Sequence, residues 1–204
     1  MDFFCVSIVI IMVDYSFIDI IRNSFSLLYT KLFFHNARLV RWPFYISGKK
    51  GFVYDKGLTT GRGCRFGANS HKKSLFIGEN ARIGDYVHIN ADYEVRIGDN
   101  VLMASKIFIS DTNHGNYNGD NQSSPFENPS ERECFYKSVL IGNNVWIGEN
   151  VVILPGSKIG NGCIIGANTV INGKSYPDNC IIAGSPGRIV KEYNLVKKTW
   201  EKFK

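Results

Sequence analysis

The sequence predicts an all-β solenoid of short strands, and three observations within residues 139–172 predict it. Ile141, Ile147, Ile153, Ile159, Ile165 and Ile171 recur every six residues without exception. Four of these are followed by glycine, at Gly142, Gly148, Gly160 and Gly166. Four places after each isoleucine comes a small or β-branched residue, suited to the other inward position of a narrow prism: Val145, Val151, Ser157, Cys163, Thr169 and Ser175. A period of six suits neither a helix, which needs 3.6, nor a flat strand, which needs 2. It suits a prism in which three hexapeptides form a coil of about 18 residues and the isoleucines stack up the axis. Successive coils then pair at a strand spacing of about 4.8 Å.

The 204 residues are enough to bury one sizeable core with appendages. Twenty glycines against six prolines fit a turn-rich solenoid rather than a collagenous or disordered chain. The formal charge of +6 is spread out, with Lys191, Lys197, Lys198, Lys202 and Lys204 near the end; it favours anionic small ligands or a membrane surface at least as much as nucleic acid, and no nucleic-acid partner is expected. The five cysteines show no CxxC pair and no metal-ligand spacing, which points to a reducing compartment and a cytoplasmic protein.

In chain order, residues 1–37 form an N-terminal helical cap or a membrane-facing segment. Residues 3–13 are almost wholly apolar but too few to span a bilayer, and they lack the basic flank of a secretory signal. Phe17, Ile18, Ile21, Phe25, Leu28 and Leu32 follow helical spacing. Such a helix would close one end of the solenoid or touch the inner face of the membrane. The β-helical domain is expected over residues 38–185. It begins with Phe52, Leu58 and Cys64 and continues through Ile77, Ile83 and Ile89, then, after a two-residue slip, Ile97, Met103 and Ile109. The repeat stops at residues 110–138, a polar stretch; a loop of that length inside a repeat domain is usually functional. Residues 186–204 read as a basic C-terminal helix.

The combination of NHG before the loop, IGNNVWIGENVVILPG after it and AGSPGRIVKEY near the end resembles the hexapeptide-repeat acyltransferases. It is most similar to the bacterial O-acetyltransferases that modify lipopolysaccharide O-antigen or capsule sugars, with FISDTNHGNYNGD its most specific part. The resemblance implies a left-handed parallel β-helix, a homotrimer with active sites between subunits, and acetyl-CoA as donor, with no metal. It also implies that His114 is the catalytic base. A neutral imidazole can take the proton of a sugar hydroxyl as it attacks the thioester. Asp111, three residues earlier, could orient that imidazole or cap a turn. Trp146, in NVWIG, is expected beside the coenzyme, and Lys174, Arg188 and Lys191 at its phosphates. Asp92, Arg132 and Tyr136 are candidates for the sugar or polysaccharide acceptor. Competing readings are N-acetylation of an amino sugar or antibiotic on the same fold, a scaffold without activity, and a zinc β-helix of the carbonic anhydrase kind. The last would need three histidines, and His71, His88 and His114 are the ones on or near the coils.

Overall fold

The structure is a computed structural model that describes residues 16–203. The expectations for the apolar run at residues 3–13 therefore lie outside the described residues. The chain winds into a left-handed parallel β-helix of about seven turns. Its three faces are a nine-stranded first sheet and six-stranded second and third sheets. All pairings between coils are parallel and in register: Ile141 stands over Ile97 and under Ile159, and Ile147 lies between Met103 and Ile165. The stacked isoleucines of the six-residue repeat are all buried, as are Leu58, Ile77, Ile83, Ile89, Met103 and Ile109. Each contributes about 1.5–3 kcal/mol through the apolar surface it removes from water.

The isoleucine–glycine pairs have a second cause at the corner between the third and first faces. There an Asp or Asn of each coil accepts a backbone N–H from the coil before it. The Glu79 N–H donates to Asp99 (2.7 Å), Asp99 to Asn143 (2.8 Å), Asn143 to Asn161 (2.8 Å) and Asn161 to Asp178 (2.7 Å). A Cβ on Gly98 would collide with the Asn143 oxygen, and one on Gly142 would come within 2.8 Å of Asn161. Glycine thus leaves space for the ladder. Asn80, Asn100, Asn144 and Asn179 turn the same corner with positive φ, a conformation asparagine tolerates better than most residues.

The coils are not uniform. Ile77 pairs with Ile97, an interval of twenty residues that contains the two-residue slip. Near the end Ile159 pairs with Tyr176, a coil one residue short. Ser175 is consequently exposed, contrary to its expected inward position. Tyr176 points inward instead and donates its hydroxyl to the Gly187 carbonyl at 2.9 Å.

Two ends differ from each other. The helix α1, Phe17–Phe33, packs with its polar side inward. Thr30 Oγ1 accepts the Val40 N–H (2.8 Å) and Ser26 Oγ the Trp42 N–H (3.1 Å), satisfying the open edge of the first coil. Phe17, Ile21, Phe25, Leu28 and Leu32 are exposed on the outer side. At the other end the expected C-terminal helix is absent, and Arg188–Asn194 and Thr199–Lys202 form an antiparallel hairpin. Cys180–Ala183 would otherwise present unpaired N–H and C=O groups at the sheet edge. Pairing with Arg188–Asn194 satisfies them, and Tyr193 against Trp200 (5.2 Å between rings) closes the hairpin.

Apolar stacking should outweigh the corner ladder. Ile153→Ala is expected to lower unfolding free energy by about 2–5 kcal/mol, and Asn161→Ala, at an exposed corner, by about 1 kcal/mol. Urea midpoints of the two variants would reverse this order if the ladder carried the fold.

Candidate functional site

Phe108–Ser110 is the second-face strand of its coil, and after it the chain leaves the prism at Asp111. Ile97 and Ile141 are paired neighbours although 44 residues apart, so the excursion is inserted at a corner without breaking the stack. Its root is held by Asp111, which is fully buried. The carboxylate accepts the backbone N–H groups of Asp92 (3.1 Å), Tyr93 (2.8 Å) and Glu94 (2.6 Å), and the Thr112 hydroxyl (2.7 Å). These donors satisfy a buried charge that would otherwise be costly. Asp111 makes no hydrogen bond to His114. The carboxylate thus caps a turn of the coil below and not one of its own backbone, and the imidazole is positioned by something else.

That orientation comes from a hairpin. Thr112–His114 pairs antiparallel with Cys134–Tyr136, placing His114 opposite Cys134 and Thr112 opposite Tyr136. The Gly115 N–H donates to the Glu133 carbonyl (2.9 Å) and the Lys137 N–H to the Asp111 carbonyl (2.9 Å). His114 and Cys134 thus fall at a non-hydrogen-bonded pair, where facing side chains come closest. The His114 Nδ1 lies 3.8 Å from Cys134 Sγ, and the ring is exposed. The His114 carbonyl accepts the Tyr117 hydroxyl at 2.6 Å. Arg132 donates to Tyr117 Oη (2.8 Å) and to the carbonyls of Ser124 (3.2 Å) and Glu127 (3.0 Å), pinning the far side of the loop. Gly115 has φ +95°, and a Cβ there would meet the Tyr117 hydroxyl at 2.7 Å, which accounts for the glycine of NHG.

Asp92 and Tyr136 lie at the same root. Asp92 accepts from Asn90 Nδ2 (2.9 Å) and from the Thr112 hydroxyl (3.0 Å). The Tyr136 hydroxyl is held above the usual phenol range by desolvation and then by Cys134, Asp92 and Asp111, so it remains a donor at neutral pH. The expected residues thus divide. His114, Asp111, Asp92 and Tyr136 gather at the corner between the second and third faces, and Arg132 lies further out within the loop. Lys174 is exposed at that corner further up, its carbonyl taking the Lys158 N–H. Trp146 instead stands on the first face between Leu102 and Ile164, half exposed. Arg188 and Lys191 are exposed on the terminal hairpin beside that face, opposite Ala183 and Ile181.

Cys134 escaped the sequence reading, because its pairing with His114 depends on hairpin register and no local motif announces it. His88 packs edge-on against Phe108 (5.3 Å), with its pKa lowered by burial and then by Arg65. No group of three His, Cys, Asp or Glu residues among the described residues is placed to hold a metal.

Residues 138–173 match the family model for the bacterial transferase hexapeptide, six repeats. The chain is 42% identical over 189 residues to WbbJ of Escherichia coli K12, a candidate lipopolysaccharide biosynthesis O-acetyl transferase, covering 92% of this chain and 95% of that protein. It is 38% identical over 125 residues to the galactoside O-acetyltransferase of the same organism, covering 61% and 57%. Among solved structures it resembles the N-acyltransferase AntD of Bacillus cereus, in complex with dTDP-4-amino-4,6-dideoxyglucose and coenzyme A. The TM-score is 0.65 at 19% identity over 83% of this chain and 90% of that one, a likeness of fold.

Removing the Asp111 carboxylate would orphan three backbone donors. Asp111→Ala is expected to destabilise the protein by about 3 kcal/mol or more and to speed proteolysis within residues 112–137. Unchanged cleavage would show that the loop root is held by other contacts. Burial pushes the Cys64 thiol up to about 11. Alkylation at neutral pH should therefore mark Cys134 before Cys64, read by peptide mass spectrometry.

Proposed function

This chain belongs to the hexapeptide-repeat acyltransferases and is an acetyl-CoA-dependent O-acetyltransferase, and we propose that His114 is the base by which it acetylates a sugar hydroxyl of a cell-surface polysaccharide or its precursor. The observation that carries the assignment is the seating of His114. Its ring is exposed on a hairpin anchored by Asp111, with Nδ1 turned to Cys134. That leaves Nε2 to face a substrate. Nε2 takes the hydroxyl proton as the sugar oxygen attacks the thioester carbonyl, and returns it to the coenzyme A thiolate as the tetrahedral intermediate collapses. Cys134 fixes the ring, and Asp111 acts one step further back by holding the hairpin. Tyr136 and Asp92 at the loop root, with Arg132 further out in the loop, supply donors and acceptors suited to sugar hydroxyls.

The pantetheine arm lies against Trp146, and Lys174, Arg188 and Lys191 offer charge-assisted hydrogen bonds to its phosphates. Within one subunit His114 and Trp146 are on different sides of the prism. This supports a homotrimer in which the loop of one subunit reaches the first face of its neighbour. The outward apolar side of α1 supports peripheral attachment to the inner face of the membrane. No helix among the described residues is long and apolar enough to cross it.

His114→Ala should lower kcat by about 10²–10⁴-fold and leave coenzyme A affinity, measured by calorimetry, nearly unchanged. Turnover near the wild-type level would sink the base assignment. Replacing Arg188 and Lys191 together with Gln should raise the KM for acetyl-CoA about tenfold with little change in kcat; an unaltered KM would remove them from the phosphate site. Mass spectrometry of surface glycans with and without the gene should show the loss of an acetyl group.

A further inference from the structure

The first face carries a second feature below Trp146. Thr59, Arg82, Leu102 and Trp146 stand one above another on successive coils, all with their side chains directed outward. Two strand spacings put the Arg82 backbone about 10 Å from that of Trp146. The coil below adds Arg38 and Arg41. These two, with Thr59, Arg82 and Leu102, line a groove of about 380 Å³. Arg38 and Arg82 also border an adjoining depression of about 410 Å³ beside Asn80 and Asn100. The volumes fall in the range of small-molecule sites.

The charge of this groove is uncompensated. Among the described residues no carboxylate lines either depression. The five ion pairs among the described residues engage none of the three arginines. Arg41 donates from Nη1 to the Thr60 carbonyl at 3.2 Å, which lays its guanidinium along the strand. Guanidinium groups gathered without a counter-charge favour an anion with several oxygens, to which each can donate in a bidentate fork.

We propose that this groove binds the diphosphate of a glycosyl diphosphate acceptor, the sugar being carried on a nucleotide or on a polyprenyl lipid. The proposal deepens the acetyltransferase reading and rests on Trp146 marking the donor site. Arg188 and Lys191 lie on the C-terminal side of Trp146 and draw the donor phosphates that way. The arginine groove lies on the N-terminal side, where the acceptor is left to bind. Its diphosphate would be held by Arg38, Arg41 and Arg82, and its sugar would reach upward past Leu102 to the thioester.

The test is binding, measured by calorimetry on the full chain, of UDP-glucose, inorganic pyrophosphate, methyl glucoside and coenzyme A to the wild type and to Arg38→Gln and Arg82→Gln. Phosphatidylcholine vesicles with and without farnesyl diphosphate form a parallel arm, read by co-sedimentation. Thermal melts confirm that the variants fold. The expected result is that a diphosphate ligand binds the wild type and loses about tenfold or more in each variant, while coenzyme A affinity stays within about twofold. UDP-glucose binding would assign a nucleotide carrier, and retention on farnesyl diphosphate vesicles alone a lipid carrier. The proposal is overturned if neither form binds, if the variants bind as tightly as the wild type, or if methyl glucoside matches UDP-glucose. A parallel fall in coenzyme A affinity would assign the arginines to the donor and overturn it too. Because nothing here depends on turnover, absence of acetyl transfer would undo the functional reading and leave the groove standing.

Discussion

Each inward side chain must stand directly over its counterpart one coil below, and the rest of the molecule depends on that constraint. The backbone of one coil is the hydrogen-bonding partner of the next, so a slip by one residue would turn every buried isoleucine outward. Vertical register is enforced twice: by apolar stacking on the axis, and by the Asp and Asn side chains that reach down to the preceding coil at one corner. Glycine after isoleucine belongs to the second device as much as to the first. A prism built this way tolerates intervals of 17, 18, 20 or 44 residues between stacked positions, because extra residues can be expelled at a corner while the stack itself is kept.

The active loop is the largest such expulsion, and its chemistry depends on how it is rooted. Asp111 gathers three N–H groups of the coil below, so the hairpin that presents His114 starts from a fixed point. Cys134 then meets the ring across the hairpin, and Arg132 ties the distal turn to Tyr117 and two carbonyls. In the proposed role of His114 as base such anchoring of its backbone matters, since small displacements of a base are costly in rate. The other expected residues are divided between the loop corner and the first face, and the proposed homotrimer is the arrangement that would bring the two groups together.

Legibility in the sequence followed the range of the interaction concerned. The β-helix was legible because the period of six repeats the same local environment many times. His114 was singled out because a family motif surrounds it, and the structure places it exposed on the loop hairpin. The terminal hairpin was misread as a helix because its cause is the unpaired edge of Cys180–Ala183, a tertiary demand absent from the local pattern of RIVKEYN. Ser175 was misplaced by one residue because nothing local signals a shortened coil. Asp111 had two local readings, and its actual partners, the N–H groups of Asp92, Tyr93 and Glu94 on the coil below, belong to neither, because they are brought there by the stacking of coils. Cys134 and the three arginines were silent for a related reason. They converge through hairpin register and through coils of unequal length, which spacing along the chain does not disclose.

Helix α1 is fastened to the prism in an unusual way, with hydroxyls against backbone on the inside and hydrocarbon on the outside. Ser26 and Thr30 meet the backbone of the first coil, Tyr29 adds ring contacts with Phe34 and Trp42, and Arg62 reaches Asn23. The outward side chains Phe17, Ile21, Leu28 and Leu32 are therefore not what holds the helix in place, and the hydrocarbon they present is left over for a surface outside the subunit.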